Sequence, residues 1–164
     1  MFIVKNEDPS VVSIPVLVTG VFGHPVTLSA NLSDGDKLLN GKLQELAKSG
    51  DVSAKKKQIS YLHTLGLMKP ERLVFVGLGK QKELSFESLK EAFGALFQDM
   101  EKRGWTRIAV DLESFVTEII TPEEAAFALS EAFALSTYQF EGYKKKKNEQ
   151  PRQIEEITVY TEHD

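Results

Sequence analysis

The sequence predicts an α/β domain with a mostly parallel or mixed sheet, because strand-like and helix-like segments alternate from Val11 to the end of the chain. The continuous apolar run Leu73–Val76 is typical of a strand that is buried on both faces. The segment Thr121–Glu124 combines an N-cap threonine, a proline at the first helical position and a capping-box glutamate, which together indicate the start of a helix. A length of 164 residues suits one domain, so we expect a single domain over residues 1–164.

The N-terminal third of the chain contains a β-branched run, Val11–Val18, that predicts a strand. Pro15 lies inside this run and cannot donate to a sheet ladder, so we expect the strand at a sheet edge or interrupted at the proline. Val26–Leu28 is a candidate short strand. A helix is predicted over Ser33–Gly50, because a serine can cap its start, leucines recur at helical spacing and a glycine follows as a stop signal.

The middle of the chain contains a strand, a turn and a second helix. Alternation of side chains over Ile59–His63 favours a strand. Ser85 is predicted to begin the helix, with Leu84 and Leu89 placed as a hydrophobic staple, and Gly104 is predicted to end it. The residues expected to form its buried stripe recur at helical spacing: Leu89, Phe93, Leu96, Phe97 and Met100.

The C-terminal third contains a strand, a third helix and a last strand. Ile108–Val110 forms the apolar centre of the first of these strands. The helix that starts at Thr121 is apolar almost all round over Ala125–Leu135, so we expect it to be sandwiched between layers rather than half exposed. Ile154–Tyr160 is predicted as the last strand.

The composition excludes several classes of protein. The chain contains no cysteine, which excludes thiolate nucleophiles, iron–sulfur clusters, cysteine zinc sites and disulfides. No apolar run approaches the roughly 20 residues that a membrane span requires. The first ten residues carry Glu7 and Asp8 where a signal peptide would have its apolar core. We therefore expect a cytoplasmic protein without a membrane partner.

The glycines after the buried strand are the first candidate binding motif. Gly77 and Gly79 follow the strand, but Lys82 stands where a Rossmann turn needs its third glycine. A Walker A loop is also excluded, because Gln81 replaces the hydroxyl residue after Gly79-Lys80. The favoured interpretation is a tight turn that leaves a buried strand. An anion-binding role for its backbone amides remains as the alternative.

The three histidines, His24, His63 and His163, are scattered, and none has a partner at the spacing of metal ligands. We interpret His63 as the partner of a local polar group rather than as a ligand. The sequence therefore predicts no metal site in this chain.

Two acidic side chains follow the strand at Ile108–Val110. Asp111 and Glu113 occupy the place where α/β enzymes position catalytic groups, although such a pair at a strand end is common. No serine elbow accompanies them, and no catalytic or cofactor-binding residue is assigned. The other acid pairs lie at predicted helix starts, where negative charge is favoured: Asp34 with Asp36, and Glu123 with Glu124.

Two lysine runs, Lys55–Lys57 and Lys144–Lys147, could form a nucleic-acid footprint. Against this hypothesis, the formal net charge of the chain is −4. Aromatic residues near the second run are limited to Tyr138, Phe140 and Tyr143. Solvated surface is the favoured interpretation of both runs.

Several segments together resemble a known family. Leu73–Lys80 looks like the strand and "GLGK" turn of the N-terminal domain of leucyl (cytosol) aminopeptidases, and the helix with Phe93–Leu96 is similar to the one that follows there. The helix from Thr121 ends in Tyr138–Lys146, which resembles the "Y-x-F-x-x-Y-K" exit of that domain. Ile154–Tyr160 matches its last strand, so the resemblance covers nearly all of the chain in the correct order.

The resemblance implies a macro-domain-like three-layer sandwich, with a mixed sheet flanked by helices. It also implies a non-catalytic N-terminal domain of a larger enzyme, a metallo-aminopeptidase that removes N-terminal residues from peptides. Its partners would be the enzyme's own catalytic domain, expected to follow Asp164, and the copies of a homo-hexamer. Two divalent ions, Mn or Zn, are expected in that missing domain, and no catalytic residue of the family can be placed on this sequence.

Two other functions remain open from the sequence. One is a macro-like module that binds ADP-ribose or another phosphate compound near Gly77–Lys80. The other is a nucleic-acid-binding domain that uses Lys144–Lys147. Binding to nucleic acid would weaken steeply with salt, because neutralised phosphates release their counterions.

Overall fold

The computed structural model describes residues 2–7, 9, 12–23, 45, 53–67, 69–146 and 154–161, with the backbone alone for 138–146. The strands within this part are β1 (Phe2–Lys5), β2 (Val16–Val21), β3 (Ile59–His63), β4 (Arg72–Gly77), β5 (Arg107–Asp111) and β6 (Glu156–Tyr160). The helices are α1 (Phe86–Arg103) and α2 (Pro122–Lys146), and short 3-10 turns span Gln81–Glu83 and Leu112–Phe115. No helix in the described ranges is long and apolar enough to cross a membrane.

The strands form one sheet in the order β1-β6-β5-β2-β4-β3. All neighbouring pairs are parallel except β3 and β4, which are antiparallel at one edge. At the other edge β1 pairs with β6, and Phe2 lies opposite Ile157. The sequence did not predict β1 as a strand, because its partner lies at the far end of the chain. The predicted α/β class with a mixed sheet is confirmed.

Strand β2 lies in the interior of the sheet, between β5 and β4. Of the two alternatives predicted, the edge position is wrong and the interruption at Pro15 is confirmed, because the strand begins only at Val16. Pro15 directly precedes the first strand residue, Val16, and contributes only its carbonyl, which accepts a hydrogen bond from the Arg72 amide at 3.1 Å. A proline at the entrance of a strand removes no donor from the ladder, so the strand can be central.

Helix α1 begins and ends where the sequence predicts. The Ser85 hydroxyl accepts a hydrogen bond from the Ser88 amide at 3.1 Å, and the Ser88 hydroxyl accepts one from the Ser85 amide at 3.0 Å. Gly104 ends the helix with a φ of 73°, a conformation that glycine adopts without steric cost. The predicted stripe is fully buried: Leu89, Phe93, Leu96, Phe97 and Met100.

Helix α2 has the predicted capping box, in which the Thr121 hydroxyl accepts from the Glu124 amide at 3.1 Å and Glu124 accepts from the Thr121 amide at 3.3 Å. The expectation that this helix is sandwiched is wrong. Phe127 is 57% exposed and Leu135 is 49% exposed, so one side of the helix faces outward. The small residues of α2 are the ones buried against α1 and the sheet, namely Ala125, Ala128 and Ala132 together with Leu129.

Apolar side chains are buried on both faces of the sheet. One face packs against α1 and α2 through a cluster that includes Val18, Val74 and Val110. The opposite face carries Leu17, Leu73 and Phe75, each fully buried. The sheet is therefore covered on both sides, as a macro-domain-like sandwich requires.

Some predictions lie outside the described residues. These are the strand at Val26–Leu28, the helix at Ser33–Gly50 apart from Glu45, and the residues His24, Asp34, Asp36, Lys147 and His163. The side chains of Tyr138–Lys146 also lie outside the described part of the structure, although the backbone of α2 continues through these residues.

Candidate functional site

The candidate site lies at the carboxyl ends of the parallel strands, which meet at one edge of the sheet. The strands β2, β4 and β5 lead there into the segments Phe22–Gly23, Leu78–Lys80 and Leu112–Phe115. Ligands of open α/β sheets bind in the crevice outside these ends, at the point where the connections change direction. The polar groups at this edge therefore decide whether it can hold a ligand.

The glycine turn after β4 has no free backbone amide at its centre. Gly77 donates to the carbonyl of Gln58 at 2.9 Å, and Leu78 donates to that of Val21 at 3.0 Å. Gly79 donates to the carbonyl of Ala54 at 2.7 Å. Three successive amides thus satisfy backbone carbonyls, and this arrangement favours the interpretation as a structural turn over a phosphate-binding loop.

The glycines of this turn are required by a close approach of the chain to itself. A Cβ atom at Gly77 would lie 1.9 Å from the carbonyl oxygen of Lys55, a contact that no side chain tolerates. Gly79 has a φ of 76°, and the Lys56 side chain lies over it. The "GLGK" sequence therefore serves the packing of residues 54–57 onto the end of β4.

The position between β2 and β5 is filled with apolar side chains. A Cβ atom at Gly20 would meet Leu78 Cδ1 at 2.8 Å and Phe115 Cε1 at 2.9 Å, and both of these side chains are buried. The Gly20 amide donates to the hydroxyl of Ser114 at 2.8 Å, and that hydroxyl donates to the Asp111 carbonyl at 2.6 Å. This link between β2 and the end of β5 is not visible in the sequence, because Ser114 belongs to no recognisable motif.

The acidic pair Asp111 and Glu113 lies at the packed ends of β5 and β6. Asp111 is fully buried at the end of the strand. Glu113 accepts a hydrogen bond from the Thr161 hydroxyl at 2.7 Å, which ties the 3-10 turn to the end of β6. The contact with Thr161 thus gives Glu113 a structural role at the strand ends.

The remaining titratable candidates have local roles. His63 Nδ1 accepts a hydrogen bond from the Leu65 amide at 2.9 Å, which confirms its interpretation as the partner of a nearby polar group. Glu123 and Glu124 lie in the first turn of α2, as predicted. Within the described ranges, no three His, Asp or Glu side chains come together in a group that could hold a metal ion.

One buried carboxyl group, that of Glu101, was not predicted from the sequence. Glu101 on α1 faces α2 and is 9% exposed, and the Ser136 hydroxyl donates to its Oε1 at 2.6 Å. Burial raises the pKa of Glu101, and the hydrogen bond from Ser136 opposes part of that rise. The position four residues after Phe97 was the available signal, because that spacing places Glu101 on the buried stripe of the helix.

Comparison with known proteins places the chain in a family. Residues 18–147 match the family described as "Cytosol aminopeptidase family, N-terminal domain". The chain belongs to this family. Among curated relatives it is 39% identical over 148 residues to a probable cytosol aminopeptidase of Bacillus subtilis. It is also 39% identical over 129 residues to the probable cytosol aminopeptidase of Bacillus licheniformis.

The alignment to these relatives covers most of this chain and a small part of theirs. It includes 90% of this chain but only 29% of the Bacillus subtilis protein. With the Bacillus licheniformis protein, the corresponding shares are 79% and 26%. The chain therefore spans less than a third of the length of these relatives.

Solved structures share its fold. A tomato leucine aminopeptidase variant superposes with a TM-score of 0.66 at 18% identity, covering 99% of this chain and 32% of that chain. The macrodomain of Thermus aquaticus DarG superposes with a TM-score of 0.64 at 14% identity, covering 98% of both chains. These similarities confirm the macro-domain-like fold that the sequence resemblance implied.

Proposed function

We propose that the chain is the non-catalytic N-terminal domain of a metal-dependent leucyl aminopeptidase, with a role in assembly or regulation. The observation that carries the proposal is the family match over most of the chain, combined with its coverage of only 29% of a relative's length. The parent protein would remove N-terminal residues from peptides. In this proposal it is a cytoplasmic homo-hexamer in which the domain contacts its own catalytic domain.

The chemistry of the parent enzyme would lie outside this domain. A two-metal hydrolytic site holds its ions about 3.5–4 Å apart between several converging ligands, and the ions polarise the carbonyl and activate a water. The described side chains do not fit such a pair of Mn or Zn ions, because no three of them converge as a ligand group. We therefore assign no step of peptide hydrolysis to these residues.

An activity assay tests the proposal directly. The 164-residue chain and a full-length cytosol aminopeptidase are compared on leucine p-nitroanilide with added Mn²⁺ or Zn²⁺. We expect turnover from the full-length enzyme only. Turnover that increases with the concentration of the 164-residue chain and disappears with a chelator would contradict the proposal.

In sedimentation we expect this chain to be monomeric or weakly associated, and a stable hexamer would contradict that expectation.

Binding of ADP-ribose at the glycine turn is less well supported. Such a site would use backbone amides, but those of Gly77, Leu78 and Gly79 all donate to carbonyls of the chain. Leu78 and Phe115 also fill the space beside Gly20, within the described part of the crevice. Calorimetric titration with ADP-ribose separates the two functions, since micromolar binding would favour the ligand-binding module.

A further inference from the structure

Two segments that are distant in sequence are locked together at the carboxyl edge of the sheet. Besides the bond from Gly79 to Ala54, the Lys57 amide donates to the Gly77 carbonyl at 3.0 Å. The Lys55 carbonyl occupies the space that a side chain at position 77 would need. The first lysine run therefore lies directly against the "GLGK" turn, a proximity that neither segment reveals by itself.

This packing gathers three lysines into one surface, which we call the lysine patch: Lys55, Lys56 and Lys80. All three are exposed, and the Lys56 side chain lies over Gly79, next to Lys80. None of the three forms an ion pair with another described residue. Within the described part of the chain, the patch thus carries positive charge that no ion pair compensates, although the net charge of the whole chain is −4.

The backbone under the patch is held in a demanding conformation. Lys57 has a φ of 65°, in the left-handed region that is unfavourable for a residue with a side chain. The hydrogen bonds to Gly77 and Gly79 hold this turn in place. The backbone that carries Lys55 and Lys56 is therefore held in one conformation. Lysines that only interact with solvent would not require a backbone held in this way.

Acidic side chains lie beside the patch along α1. Lys57 pairs with Glu91 at 3.3 Å, and both line a groove of about 350 Å³ together with Glu87 and Lys90. The surface therefore changes from positive at the lysine patch to mixed charge along the helix. A continuous phosphate backbone would be repelled by the exposed carboxylate of Glu87, which pairs with no other described residue, whereas a polypeptide can place acidic and basic side chains opposite the two regions.

We propose that the lysine patch docks an acidic segment of a polypeptide. Charge complementarity specifies the partner, since three ammonium groups without an ion pair among the described residues attract carboxylates, and the neighbouring Glu87 on α1 disfavours nucleic acid. The central amides of the glycine turn are already bonded, so the contact rests on side chains and should weaken as salt screens it. This inference goes beyond the proposed function and does not depend on peptidase activity.

The test measures binding of a fluorescently labelled octaglutamate peptide by anisotropy at low and at physiological salt. The double variant Lys56→Gln/Lys80→Gln removes two charges from the patch. The control Lys69→Gln/Lys102→Gln removes the same charge from exposed lysines that form no ion pair with a described residue. We expect binding to the patch variant to be about tenfold weaker, with the control within about twofold of the wild type.

Thermal melting of all three proteins verifies that they remain folded. Equal losses in the patch and control variants would overturn the proposal, because they would indicate attraction to overall charge. Absence of saturable binding at low salt would overturn it as well. Duplex DNA that binds more tightly than the peptide, and through the same two lysines, would replace the polypeptide partner with nucleic acid.

Discussion

Replacing Phe93 by alanine tests how the core is built. Phe93 lies on the buried side of α1, is fully buried and packs against the Phe115 ring, with the ring centroids 4.7 Å apart. A buried Phe→Ala change costs about 3–5 kcal/mol, and loss of a packed aromatic pair adds roughly 0.5–1.5 kcal/mol to the loss of burial. We therefore expect a loss of about 4–5 kcal/mol in the free energy of unfolding, toward the upper end of that range.

Urea unfolding followed by far-UV circular dichroism measures this loss, with the slope of the transition compared between wild type and variant. A chain of this length should lose about 10–15 °C in melting temperature. Phe127→Ala is the matched control, because Phe127 is 57% exposed and stacks only on Phe86 among the described aromatic rings. We expect that control to cost less than about 1 kcal/mol. A similarly small cost for Phe93→Ala would show that α1 does not pack as described.

Three further predictions concern a buried acid, a strained turn and the glycines. Burial raises the pKa of Glu101 in the folded state, so the free energy of unfolding should fall as the pH rises from about 4.5 through that raised pKa. Urea titrations at several pH values measure this fall, and we expect Glu101→Gln to remove it. Leu65 has a φ of 56° at the tip of the β3–β4 hairpin, so Leu65→Asn should raise the unfolding free energy by up to about 1 kcal/mol. Gly77→Ala should destabilise the protein by more than about 2 kcal/mol, because the new Cβ atom would clash with the Lys55 carbonyl. Gly94→Ala should stabilise it by about 0.5–1 kcal/mol, because Gly94 lies within α1 with open space around it. Thermal melts of both variants measure these effects.

Each of these predictions has a clear contrary result. An unchanged pH profile in Glu101→Gln would show that this carboxyl group is ionised at no cost in the folded protein. A lower melting temperature for Leu65→Asn would mean that the leucine side chain stabilises the hairpin despite its 78% exposure. Equal effects at Gly77 and Gly94 would remove the close approach of Lys55 as the reason for the glycine.

The helix boundaries could be predicted from the sequence because their determinants are local. Ser85 and Gly104 act on amides and carbonyls within one turn of α1, and Thr121 does the same for α2. The burial of Leu73–Val76 was equally visible, since a fully apolar run has no polar side to expose. The sheet positions of β1 and β2 were not visible, because each depends on partners that are distant in the chain.

The outward face of α2 shows where a local pattern misleads. Its sequence is apolar almost all round, and this predicted burial on every side. In the structure the alanines and Leu129 pack inward, while Phe127 and Leu135 are left outside. The composition of a helix shows how apolar it is, but the shape of the neighbouring layer decides which side of the helix that layer covers. The alanines are on the covered side of α2, because their small side chains allow α2 to approach α1 closely.

At the candidate site, the sequence by itself determined the order of the elements and the motifs that the turn does not match. It identified the turn after β4, the failure of the phosphate-loop templates and the resemblance to the aminopeptidase N-terminal domain. Only the tertiary structure decided what the turn does, because the hydrogen bonds of Gly77 and Gly79 and the contact with Lys55 join residues 19 or more positions apart. Caps and periodicity act within a few residues and can be predicted from the sequence, whereas a lysine patch exists only once two distant loops have closed on each other.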